Sequence, residues 1–153
     1  MAHVIKEDKI LEAIRRFGYN ETIPFDALQP PELGGQSAVY RVCIPGRLDW
    51  AVRMPVKLSV AAAKDVIEDE NEMLRRLEAA AFPWSPRVLG EELDDSNPVG
   101  FPFSVYNWLP GKPLAWNTTV PPSLKMRHHL LSQVAQALLS LINCTRVDGK
   151  EMA

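Results

Sequence analysis

The groups able to do chemistry fall in a few short stretches. A glycine pair opens Leu33-Gly34-Gly35-Gln36-Ser37-Ala38, and Arg53 lies inside Trp50-Ala51-Val52-Arg53-Met54. Glu68, Asp69, Glu70 and Glu72 crowd one segment together with Arg75 and Arg76. Adjacent glycines ahead of an apolar run read as a turn that opens a hairpin. An arginine within a strand reads as a long stem on apolar surface with its head in water. The acidic cluster has basic partners three and four residues on, the spacing of a solvated, ion-paired helix face. His128 and His129 are neighbours on a helical pattern, so they point in different directions and lack the i, i+4 geometry of a metal pair; one reads as a boundary residue beside an exposed one. Cys43 and Cys144 share no paired spacing, which indicates neither a disulfide framework nor a zinc site and leaves them as reduced core thiols.

These groups must be positioned by elements that the apolar spacing outlines. Ile10, Leu11, Ile14 and Phe17 predict an opening amphipathic helix within Val4 to Phe17, with Gly18 as its stop. Pro24, Pro30 and Pro31 make the next stretch a connection with a short strand, leading into the turn at Leu33-Gly34-Gly35. Strands are expected at Ala38 to Ile44 and Trp50 to Met54, with Pro45 to Asp49 as the hairpin turn. A long charged helix follows from Ser59, carrying Val66, Ile67, Met73, Leu74 and Leu77 and closed by Pro83. Arg87 to Gly90 and Phe103 to Leu109 are two further strands joined by the polar region Glu91 to Pro98, so the sheet is antiparallel. Pro121 and Pro122 stand at the start of a last helix marked by Leu124, Leu130, Leu131, Val134, Leu138 and Leu141, and the tail from Asn143 onward shows no periodicity.

Composition narrows the class. With 153 residues, 46% apolar and 24% charged, the chain can bury one core and is ordinary in make-up. A net charge of −2 argues against non-specific nucleic-acid binding, which needs a surplus of Lys and Arg. The charged N-terminus lacks an apolar leader core and no run reaches the ~18 apolar residues of a membrane span, so a cytoplasmic protein with no membrane partner is expected.

Four stretches resemble the aminoglycoside-phosphotransferase and choline-kinase-like superfamily. Leu33 to Val42 is similar to its phosphate-covering loop, whose backbone amides face nucleotide phosphates. Trp50-Ala51-Val52-Arg53-Met54-Pro55 resembles the W-x-V-R-x-P strand of fungal members, with Arg53 where kinases place a phosphate-contacting Lys. Glu70, seven residues before Leu77, is similar to the helix Glu that pairs with that cation. Asn97-Pro98-Val99-Gly100-Phe101-Pro102-Phe103, continued by Tyr106-Asn107-Trp108-Leu109-Pro110-Gly111-Lys112-Pro113-Leu114, resembles the family's hinge passage, with Asn107 where Glu is common.

The resemblance implies an α+β kinase-like small lobe: an antiparallel sheet with a long helix, preceded by an N-terminal helix and followed by one C-terminal helix, the large lobe being absent. Its parts are residues 1–28, the lobe at 29–114, a linker and first helix at 115–142, and an unpatterned tail at 143–153. It further implies ATP as the nucleotide, held by Gly35, Gln36, Ser37, Ala38, Arg53 and Glu70. Tyr106 would lie behind the adenine, with the Asn107 carbonyl and Leu109 amide at its edge, and Trp108 reads equally as a strand aromatic anchoring the core. The His-Gly-Asp catalytic loop and magnesium ligands of whole members lie beyond this pattern, and after Leu114 the only carboxylates are Asp148 and Glu151. The expectation is therefore a truncated small-molecule kinase with no magnesium site or useful turnover, whose last helix offers an apolar face for self-association or a protein partner. A stand-alone nucleotide- or protein-binding regulatory module is the second reading. A globular interaction protein with a coincidental glycine turn is the third, favoured if Arg53 and Glu70 point away from each other.

Overall fold

The computed structural model describes residues 5–17, 23–112 and 114–146. Gly18, Pro113, Asp148 and Glu151 lie outside the described residues. The chain divides into two compact units, one of residues 1–75 and 86–108 and one of residues 76–85 and 109–153.

The first unit is built on a five-stranded sheet in the order β1-β2-β3-β5-β4, antiparallel throughout. The strands are β1 Glu32–Leu33, β2 Ala38–Val42, β3 Trp50–Met54, β4 Val88–Glu92 and β5 Phe103–Asn107. Alternation sorts the side chains by face, because directly opposed residues share one side of the pleat. Tyr40, Val52, Val105 and Gly90 form one row across the sheet; Val39, Arg53, Ser104 and Glu91 form the next, on the opposite face.

The first face carries the apolar core. Val42, Val52, Met54, Phe103 and Val105 are fully buried with Ile10, Ala13 and Ile14. Helix α1, Ile10–Ile14, is flanked by 3-10 turns at Glu7–Lys9 and Arg15–Phe17. The expected single opening helix is thus one α-turn between two tighter ones, which still present Ile10, Leu11, Ile14 and Phe17 to the sheet. Phe17 packs edge-on against Phe103, with ring centroids 6.3 Å apart, and Tyr40 donates to Glu7 at 2.6 Å. Gly90 lies directly beneath Phe17. A bulge between Val88 and Gly90 accommodates the extra residue Leu89, which packs against the core.

Helix α2, Val60–Ala79, packs on the second face, bonding to β5 and β4 and reaching Arg53 on β3. Its inward row is Ala63, Ile67 and Asn71, spaced by four residues and fully buried. Met73, assigned to the apolar side on sequence, is exposed. The loop into β5 is tied by Asn97, whose amide donates to the Asp94 and Phe101 carbonyls and whose carbonyl accepts from the Val99 and Gly100 amides.

In the second unit α2 ends in a Schellman pattern: Phe82 N–H bonds Leu77 carbonyl and Ala81 N–H bonds Glu78 carbonyl, with Ala81 at φ 55° where glycine is usual. The last helix is α3, Leu124–Thr145, capped by Ser123 rather than started by the prolines before it, and it continues into the stretch read as unpatterned. None of its residues is buried, so His128 and His129 are both exposed and no boundary position exists. Arg127 ties the preceding loop, donating to the Pro121 and Asn117 carbonyls and lying over the Trp116 ring. Cys43 and Cys144 are free thiols at half-buried positions, not core residues. No described helix is long and apolar enough to cross a membrane.

Candidate functional site

Arg53 owes its position to strand alternation. Trp50, Val52 and Met54 point into the core, which turns Ala51 and Arg53 to the α2 face. There Arg53 is opposite Val39 on β2 and Ser104 on β5, while Ala51 is opposite Arg41 and Tyr106. Val39 and Ala51, small and half-buried, therefore form an apolar bed beside a cation.

Helix α2 brings Glu70 onto that cation: Arg53 Nη1 donates to Glu70 Oε2. The two side chains retain 25% and 41% exposure, so their attraction is screened and contributes under about 1 kcal/mol to stability. What the pair supplies is orientation. A guanidinium carries five N–H donors in a fixed fork, more than one carboxylate oxygen uses. The pairing of Arg53 with Glu70 expected on sequence is thus present in the fold.

Behind the pair lies a polar network that the sequence reading missed. Asn71, fully buried, donates through Nδ2 to Glu91 Oε2 and to Ser104 Oγ at 3.0 Å, and accepts at 2.9 Å from the Tyr106 hydroxyl. Arg75 adds a second donor to Glu91 at 2.9 Å. Burial pushes the Tyr106 hydroxyl above its ordinary value, and the Glu70 charge adds to this while Ser104 and Arg53 oppose it. Tyr106 is accordingly neutral and turned under α2.

The glycine turn is closed by one bond of its own and held by another from outside the bend. Gly34 N–H bonds Ser37 carbonyl at 2.8 Å and Lys57 N–H bonds Gln36 carbonyl at 3.2 Å. Neither Gly34 nor Gly35 has positive φ, and a Cβ at Gly35 would meet nothing within 4 Å. Backbone conformation therefore does not demand glycine here, and the missing side chain leaves open space above the turn. Ser37 is 8% exposed and its Oγ has no hydrogen-bond partner, the one such buried side-chain atom among the described residues. Ala38, buried, begins β2 opposite Met54. The exposed, side-chain-free backbone at Gly34 and Gly35 suits an anionic group rich in acceptors, whereas the unpartnered Ser37 hydroxyl is closed to solvent.

At the other end of the face, the Asn107 side chain and amide tie β5 to the residue before β4: its Oδ1 accepts from the Arg87 amide, and its own amide bonds the Arg87 carbonyl at 3.2 Å. Trp108 is half-buried; its N–H bonds the Asp49 carbonyl at 2.7 Å, and Arg41, paired with Asp49 at 2.6 Å, lies 4.9 Å above its ring. Leu109 belongs to the second unit and is exposed. The first unit thus brings Arg53, Glu70 and Tyr106 together, places the turn Gly35 to Ala38 at the head of the adjoining strand, and adds Val39, Ala51, Asn71, Glu91 and Ser104, which were not singled out. Among the described residues no three His, Cys, Asp or Glu side chains are grouped as a metal would need.

Comparison with curated proteins and with solved structures gave no match. The phosphotransferase enzyme family matches residues 28–151, a span holding the glycine turn, the Arg53–Glu70 pair, all five strands and α3, and the chain belongs to that family.

Proposed function

We propose that the first unit is the nucleotide-binding lobe of a small-molecule kinase and that it takes ATP. The observation that carries this reading is the Arg53–Glu70 pair, set beside an apolar bed and one strand away from a turn with bare, open backbone. Phosphate oxygens would accept from the Arg53 fork and the amides of the turn Gly35 to Ala38. The flat base would lie over Val39 and Ala51, whose small side chains leave room for a ring. The meeting of Arg53 with Glu70 argues against the glycine turn being a coincidence in an unrelated interaction protein.

The chain by itself is proposed to hold nucleotide without turning it over, because transfer needs a base at the acceptor hydroxyl and carboxylates for magnesium. The stretch from Ala115 to Val147 contains no Asp or Glu. Titrating ATP into 15N-labelled protein tests the binding claim. Saturable shifts of the Gly35, Gln36, Ser37 and Ala38 amides and of the Arg53 side chain are expected. Shifts absent at millimolar ATP, or confined to the second unit, would overturn it.

A further inference from the structure

We infer that Asn71 is the positioning residue that holds α2 against β4 and β5 so that its neighbour Glu70 stays on Arg53. The functional meaning of this inference rests on the nucleotide reading, but its geometry is testable in the protein alone. Consecutive helical residues diverge by about 100°. Glu70 therefore reaches β3 while Asn71 reaches β5 and β4, the strands next in the sheet order. Two adjacent residues thus clasp three adjacent strands.

The other inward contacts of α2 cannot fix its register. Ala63 and Ile67 are apolar and non-directional, so their contacts constrain the exact rotation and height of the helix less sharply than hydrogen bonds do. Glu70 is partly exposed and could not hold the helix by one screened contact. The Asn71 amide is different because its three bonds fix both place and orientation. Glu91 as a carboxylate only accepts, so the amide nitrogen must face it, which leaves Oδ1 for the Tyr106 hydroxyl. Arg75, one turn on, grips the other oxygen of the same carboxylate. A roll or slip of α2 would break this whole set, and the bonds to Ser104 and Tyr106 lie in buried surroundings where unmade hydrogen bonds are costly. Asn71 does not reach Arg53 itself and acts only through the helix that carries Glu70.

The test uses Asn71→Asp and the double variant Asn71→Asp/Glu91→Gln. The single change sets two acceptor-only carboxylates against each other; the double change restores a donor facing an acceptor at unchanged net charge. Hydrogen exchange of the Arg53 guanidinium, followed by NMR without nucleotide, reports the ion pair, and thermal melting reports stability separately. Exchange is expected to quicken by about tenfold or more in Asn71→Asp and to return to within about threefold of the parent in the double variant. A folded Asn71→Asp protein with unchanged exchange would overturn the inference, as would a double variant that recovers melting temperature but not exchange. If Asn71→Asp does not fold, Ser104→Ala removes one partner of the same amide without adding charge, and unchanged exchange there is equally fatal. ATP titration of the same proteins is scored independently: a parent protein that binds no ATP while exchange follows the expected pattern sinks the nucleotide reading and leaves the role of Asn71 standing.

Discussion

Gly90→Ala is a small change with a large expected effect. A Cβ at this position would lie 1.9 Å from Phe17 Cδ1 and 2.3 Å from Cε1, whereas carbon atoms in contact sit about 3.5–4.0 Å apart. The Phe17 ring must therefore back away by more than about 1.5 Å, leaving its edge contact on Phe103, or β4 must move instead. Overpacking of this kind costs about 1–3 kcal/mol. Replacing glycine also narrows the unfolded ensemble, which favours the variant by about 0.4–1 kcal/mol. The clash wins, with a net loss of about 1–2 kcal/mol and a melting temperature lower by roughly 2–8 °C for a chain of this size. Because Glu91 is the next residue, a displaced β4 would also disturb the Asn71 network, so the variant should weaken nucleotide binding without touching any residue assigned to the nucleotide. Urea unfolding measures the first effect, and the Phe17→Ala/Gly90→Ala double variant should recover part of the loss specific to Gly90→Ala. A Gly90→Ala protein as stable as the parent would refute the packing argument.

Other substitutions follow from the same reasoning. Ala81→Gly relieves a left-handed backbone at a helix end and should raise stability by about 0.5–1 kcal/mol in the same urea assay, the opposite sign to Gly90→Ala. Asn97→Ala removes four hydrogen bonds from the loop before β5 and should cost about 2–4 kcal/mol, seen as early melting. Burial raises the Tyr40 hydroxyl well above its ordinary value of 10.0, and the Glu7 carboxylate adds to this; Tyr106 is raised too. The folded state then keeps protons that the unfolded chain releases, so stability is fully present below pH 10 and falls as pH rises through the folded values. Tyr40→Phe should flatten that fall in alkaline unfolding curves, and an unchanged slope would count against the burial of this hydroxyl.

Much of this arrangement was legible in the residues, for physical reasons that also mark where legibility stopped. The apolar run Trp50 to Met54 after the hairpin turn gave β3, the charged segment carrying Val66, Ile67, Met73, Leu74 and Leu77 gave α2, and the resemblance paired Arg53 with Glu70. Asn71 was invisible because a polar residue interrupts an apolar row, and only a structure shows that Glu91, Ser104 and Tyr106 satisfy it. Met73 entered the inward face on hydrophobicity alone, although it lies two residues beyond Asn71 and hence on the outer side. The end of β4 was placed too early because Glu91 and Glu92 look like turn residues; one accepts from α2 and the other pairs with Arg16. The two 3-10 turns around α1 preserve the apolar face of a helix, so periodicity could not distinguish them from one.

The most direct test of the central claim is calorimetric titration of ATP into the parent chain and into Arg53→Ala. The parent is expected to bind saturably with one site, and loss of the Arg53 fork should weaken binding by about tenfold or more while the melting temperature changes little, since the pair itself is screened. Equal affinity in the two proteins, or no heat of binding in the parent at millimolar ATP, would contradict the assignment of this sheet face to a nucleotide.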